Sequence, residues 1–255
     1  MRRSAFISYG EEQRMRQGRR TNIRGGAVWA LAAVCLAVGL TGPARAAETR
    51  VTTVETFETG TNDGEWTWGT GSEDFVDSDG AHGRYMRENH LVTFTPRAST
   101  GFGLPSAFTG NYRTRNVTSV GIDLAIASVD GNVAGRTVTL ILLNDNGTPD
   151  DLEDDWGAFT VTDSPVPPTG VAGLTGANDI LQWTSYDVAI PSQSGKLPDG
   201  WTWISRNQIR PNGSWARLMR DVDHVGFIMG DPAQLYPLFV WDVALDNPRI
   251  TTVAP

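Results

Sequence analysis

The stretch Arg136–Val161, RTVTLILLNDNGTPDDLEDDWGAFTV, decides the fold. Within it Thr137–Leu143 places Val138, Leu140 and Leu142 on one face of an extended chain and Ile141 and Leu143 on the other. Successive side chains of a strand point to opposite faces, so apolar residues at both parities mean a strand covered on both sides. A run of acidic residues follows, and the chain returns through Gly157–Val161, GAFTV. The pattern predicts a central hairpin of an all-β domain with an acidic loop at its tip.

The loop admits two readings. Asp145, Asp150, Asp151, Glu153, Asp154 and Asp155 put six carboxylates within eleven residues and no basic side chain among them. Hard cations such as Ca²⁺ take several such oxygens around a tight turn, and Asn144, Asn146, Gly147, Asp150 and Glu153 fall at positions 3, 5, 6, 9 and 12 of a twelve-residue calcium loop. Position 1, where an Asp belongs, is Leu142, inside the strand. The other reading is a solvated hairpin tip whose charges keep the sheet soluble. The calcium reading makes Asn146, Asp150 and Glu153 ligands; the missing first ligand favours the tip.

Outward from the hairpin the chain keeps the same character. Ser119–Ala127 alternates, with Val120, Ile122, Leu124 and Ile126 on one face and Gly121, Asp123, Ala125 and Ala127 on the other, which predicts a half-buried strand. Arg50–Glu58, Leu91–Thr95, Trp183–Ile190, Val225–Met229 and Leu238–Leu245 read as further strands. Thr59–Gly71, Ala98–Asn116 and Ser164–Asn178 are rich in Gly, Pro and Thr and read as loops. One short helix is expected, capped by Ser214, with Trp215, Leu218 and Val222 on one side. Many strands, Gly/Pro/Asp loops and almost no helical periodicity point to a two-sheet antiparallel jelly-roll sandwich.

The first 46 residues read as a signal peptide. Arg19, Arg20 and Arg24 precede the apolar run Ala27–Leu40, and Ala44 and Ala46 form the small-x-small pattern of a cleavage site. The run is shorter than the roughly 20 apolar residues of a membrane span, so no membrane insertion is expected after cleavage. The mature chain, 47–255, is then a single secreted or periplasmic β-sandwich domain. The first 46 residues hold 8 of the 21 Lys and Arg and 2 of the 29 Asp and Glu, which leaves 13 basic against 27 acidic side chains. Such a surface repels phosphate backbones and anionic headgroups, so nucleic acid and anionic membrane surfaces are poor partners, while cations and neutral sugars are compatible. The lone Cys35 leaves with the signal, and the fold stands without a disulfide.

Three stretches carry a likeness to a known group. TFETG…EWTW near the start, SVGIDLAI in the middle and WDVALDNPRI near the end resemble the galactose-binding-like jelly rolls, which include many bacterial carbohydrate-binding modules and laminin B (domain IV) type domains. The resemblance implies a jelly roll, a polysaccharide or cell-surface glycan as partner, and a structural calcium between first and last strands, with Glu58 and Asp246 as its ligands.

The residues themselves add candidate ligand contacts. Trp66 and Trp68 lie in DGEWTW, and Trp201 and Trp203 in the echoing DGWTW. A flat ring in a Gly/Asp-rich loop can stack on the apolar face of a sugar while an adjacent carboxylate takes hydroxyls; the alternative for each ring is burial in the core. No HExxH, GxSxG, P-loop or GxGxxG pattern occurs. The expected role is therefore a non-catalytic module binding carbohydrate or another extracellular ligand. A polysaccharide-acting glycosidase or lyase on a sandwich, or a structural or adhesive envelope protein, are the alternatives.

Overall fold

The expected hairpin is present. Strand β6 (Thr137–Asn144) pairs antiparallel with β7 (Trp156–Pro165), in the register Leu140 to Thr160, Leu142 to Ala158 and Asn144 to Trp156. The structure, a computed structural model, describes residues 48–69, 74–77, 82–101, 106–148, 154–169, 181–205 and 213–254. The expected signal segment, Asp150 and Glu153 lie outside the described residues.

Two antiparallel sheets face each other as a jelly-roll sandwich. One has the order β4 (Arg97–Thr100), β10 (His224–Ile228), β6, β7, β9 (Trp201–Ser205). The other runs β2 (Asp74–Val76), β3 (Tyr85–Thr93), β11 (Phe239–Val253), β5 (Val117–Val129), β8 (Thr184–Ala189). Strand β1 (Arg50–Val54) joins this second sheet on β11. Fifteen residues long, β11 holds β5 along one edge, while β3 (against 239–245) and β1 (against 249–253) share the other. Its register shifts between Asp246 and Arg249, where Asn247 has φ +47° and Pro248 has no N–H to give to a ladder.

The core lies between the sheets. Val120, Ile122, Leu124 and Ile126 of β5 face Val138, Leu140 and Leu142 of β6, all fully buried, with Trp66, Trp241, Phe108 and Phe227 filling the space among them. Each such side chain contributes about 1.5–3 kcal/mol by leaving water. The short helix α1 (Trp215–Leu218) forms where expected. The Ser214 hydroxyl accepts from the Arg217 N–H at its start, and Trp215, Leu218 and Val222 are buried.

Two expectations need correction. β5 is not half-buried: a second apolar cluster of Tyr85, Leu181 and Ala244, with Trp183 against it, covers Ala125 on its outer face. The alternation was right, but a segment from elsewhere in the chain shields the second face. Strands β4 and β9 form inside stretches read as loops. β4 is held by ladder bonds on both sides, from β10 and from the bridge between Thr67 and Ser99. β9 lies along β7.

Candidate functional site

The two sheets leave an open seam lined by residues of their edge strands β8 and β9. An open depression of about 510 Å³ lies there, lined by Val188, Ile190, Pro191, Pro198, Asp199 and Trp201, with the hydroxyl-bearing Thr118 and Thr160 beside them. Its wall is built by a four-residue turn. The Trp201 N–H donates to the Pro198 carbonyl at 3.2 Å, and Gly200 takes φ +82° at the third position, the left-handed geometry of a type II turn. The Thr160 hydroxyl donates to the Gly200 carbonyl at 3.0 Å and fixes the turn to β7. Asp199 is left exposed at the rim.

Trp201, 9% exposed and part of the core, is held rather than loose. Its ring meets Trp215 edge-on, with centroids 4.8 Å apart, and the Trp215 indole N–H donates to the Pro191 carbonyl at 3.0 Å. Arg113 donates to the carbonyls of Ser192 and Ser194, which fixes the loop opposite. The result is a preformed apolar hollow with one indole, one carboxylate and two threonines, a composition suited to a ligand with an apolar face and a fringe of hydroxyls.

The other expected aromatics lie elsewhere. Trp66 is 1% exposed and packs edge-on against Phe108 at 5.2 Å. Asn62 clamps it: the Trp66 N–H donates to the Asn62 side-chain oxygen, and Asn62 Nδ2 donates to the Trp66 carbonyl. Its ring is core, so stacking on a sugar is corrected to packing. Trp68 is buried in the same cluster, at the opposite edge of the sandwich. Trp203, half-buried on the inward face of β9, packs against Trp156 at 6.0 Å. Alternation along β9 turns both its tryptophans inward, and only the first reaches the seam.

Glu58 and Asp246 do approach one short segment, His82–Arg84. The Arg84 N–H donates to Glu58 Oε1 at 3.1 Å, and His82 Nδ1 lies 2.9 Å from Asp246 Oδ2. Asp246 is 3% exposed, and burial raises its pKa. Its Oδ1 accepts from the Asn247 N–H and its Oδ2 also from Asn247 Nδ2. Calcium needs six to eight oxygen ligands. Both oxygens of Asp246 already meet nitrogen groups, and among the described residues no three His, Cys, Asp or Glu side chains gather as a metal shell. The donor set described does not fit the ion.

The described residues of the acidic loop make other contacts. Asn146 (φ +55°) and Gly147 (φ +76°) form a type I′ turn closed by the Thr148 N–H on the Asp145 carbonyl. The Asn146 side-chain oxygen accepts from the Arg217 guanidinium at 2.9 Å and from the Trp156 indole at 3.1 Å. Asn146 is thus held by two N–H donors in this turn. Nearby, Asp223 accepts from Asn144 Nδ2 and from the Asp145 N–H. Burial, with the Asp145 and Asp221 carboxylates beside it, pushes the Asp223 carboxyl up to about 7. Burial lowers the neighbouring His224.

One polar cluster had no sequence signal beyond its residue types. Across the outer face of the β11 sheet, Arg249 donates to Asp123 and to both oxygens of Asp187, and Asn247 Nδ2 donates to Asp123. Strand register assembles these groups, and no single stretch of sequence contains it.

No family profile matches the chain, and no curated protein matches it. Several solved structures show a partial similarity to the chain. A family 11 carbohydrate-binding module from Clostridium thermocellum, solved with a β-1,3-1,4-mixed-linked tetrasaccharide, is 13% identical with TM-score 0.37, over 78% of this chain and 94% of that one. A carbohydrate-binding module specific for non-crystalline cellulose is 14% identical with TM-score 0.33, over 76% and 90%. An exo-β-agarase is 11% identical with TM-score 0.39, over 80% of this chain but only 25% of its own.

Proposed function

We propose that the protein is an exported, non-catalytic module that binds a neutral polysaccharide in the depression between β8 and β9. The observation that carries this reading is Trp201 held on the Pro198–Trp201 turn, with Asp199 beside it and an apolar floor between two sheet edges. An indole covers the apolar face of a pyranose, and a carboxylate accepts hydroxyl hydrogens from its rim. Among the described residues the only charged lining group is Asp199, which selects against anionic sugars. Export follows from the N-terminal apolar run and its cleavage pattern.

Affinity electrophoresis and calorimetry of the purified protein with soluble neutral glucans, xyloglucan and agarose oligomers test it. At least one ligand binds the native protein; Asp199→Ala weakens that binding about tenfold while the melting curve stays in place, and Trp201→Phe weakens it by a similar factor. Absence of retention on every glycan, or binding unchanged in both variants, overturns the reading. Reducing ends released during the same incubations would move the protein to the polysaccharide-cleaving class.

A further inference from the structure

Strand β8 closes one side of its sheet, so half of its backbone groups meet no neighbouring strand. One hydrogen bond tells which half. The Ile190 N–H donates to the Thr118 carbonyl at 2.8 Å, and Ala189 stands opposite Ser119 in the register with β5. Backbone direction alternates along an antiparallel pair, so the N–H and C=O of Ala189 point away from β5, off the edge of the sheet. Ala189 is exposed and lines the depression of about 510 Å³. Among the described residues neither of these groups has a hydrogen-bond partner.

The polar side chains around Ala189 have the opposite character. The Thr118 hydroxyl donates to the Thr251 carbonyl at 3.3 Å, and the Thr160 hydroxyl to the Gly200 carbonyl at 3.0 Å. Each has used its one hydrogen and keeps lone pairs to accept with. Asp199, exposed at the rim, accepts only. Exposed Pro191 and half-buried Pro198 add apolar surface. The hollow thus sets a fixed backbone donor among several acceptors, beside an apolar patch.

A secondary amide matches that set. Its oxygen takes a backbone N–H, and its own N–H, on the other side of the trans amide, needs an acceptor. Its methyl group needs apolar cover. A sugar hydroxyl can also take the Ala189 N–H, but it leaves the proline surface against water. Of β8 and the residue after it, Val188, Ala189 and Ile190 line the hollow, and of these only Ala189 turns its backbone outward. That edge is too short for an added peptide strand and matches one substituent. We propose that the β8–β9 depression selects a saccharide bearing an acetamido group, with the Ala189 N–H donating to the acetamido carbonyl. The inference rests on the reading of this depression as a saccharide site and names the class of sugar.

Calorimetry with a β-1,4-linked tetramer of N-acetylglucosamine and the matching tetramer of glucose tests it, because the two differ only in the acetamido group. The native protein binds the acetamido tetramer at least tenfold more tightly. Ala189→Pro removes the outward N–H without touching the ladder, a substitution edge strands tolerate, and it weakens acetamido binding at least tenfold. A titration of the native, ¹⁵N-labelled protein needs no variant: the Ala189 amide resonance shifts with the acetamido tetramer. An oligomer whose alternate acetamido sugars carry lactyl carboxylates separates the two sources of such sugars, chitin-like if the uncharged oligomer binds more tightly and cell-wall-like if the charged one does. Equal affinity for the two tetramers, or an Ala189 amide that stays in place, overturns the proposal and leaves the saccharide reading standing. If no glycan binds at all, both fall. An extended peptide that shifts the Ala189 amide where no sugar does assigns the edge to strand addition and overturns the proposal as well.

Discussion

The segments DGEWTW and DGWTW use nearly the same residues, and the fold treats them differently. In the first, Asn62 clamps Trp66 from both sides, and Thr67 bridges to β4, so Trp66 and Trp68 both point inward and the leading ring becomes the centre of the core. In the second, the turn at Gly200 delivers Trp201 to the first position of an edge strand, where its ring is shared between Trp215 and the open seam. Composition sets what a ring can do; the hydrogen bonds to the residues before it decide where the ring goes.

The largest test of this contrast is Trp66→Ala. Removing a fully buried indole costs about 3–5 kcal/mol, and urea denaturation should show a loss of that order or a failure to fold. Trp203→Ala, half-buried, should cost clearly less under the same assay; equal losses would erase the distinction between the segments. Ser214→Ala removes the cap of the helix that supports Trp201 and should cost about 1 kcal/mol in the same titration. Its effect should reach glycan affinity, whereas a matched destabilisation at Trp66 should not.

Asp223 lies between the two edges and touches neither tryptophan pair. Its carboxyl is raised from 3.8 to about 7, so between pH 4 and 7 the folded state keeps a proton that the unfolded chain has released. Stability therefore falls as pH rises through that window and is level above it. Asp223→Asn should flatten this slope and raise the melting temperature at pH 8, since an amide oxygen can still accept from Asn144 and Asp145. An unchanged slope would remove Asp223 as its source. The smallest effect is expected from calcium: EDTA followed by Ca²⁺ should leave the melting temperature in place, and a rise of several degrees would show that the Glu58–Asp246 end takes an ion.

What could be read from sequence follows from how local each signal is. β6 was legible because apolar residues at both parities leave no alternative to burial, and α1 because Ser214, Trp215 and Leu218 all lie within one turn or two. β4 was missed because RAST is short and holds a single apolar residue, Ala98; neighbouring strands make it a strand. β9 was missed because its tryptophans follow a Gly/Asp turn and looked like the turn itself. The Asn-Gly pair at 146–147 resembled part of a calcium loop, and its older meaning, a left-handed turn, prevailed. Of the candidate site only Trp201 and Asp199 sat in one readable stretch. Val188, Ile190 and Pro191 join them through a seam between sheets, which no local pattern reports.

The long strand β11 has a consequence for how the chain comes into being. Arg50 pairs with Val253, so the first strand waits for a partner some two hundred residues later, and β3 and β5 wait for the same strand. Contacts so distant in sequence slow folding. The β11 sheet cannot close while the chain is still emerging from a ribosome. Strand β1, which pairs with β11, therefore stays without its partner strand until β11 has been synthesised.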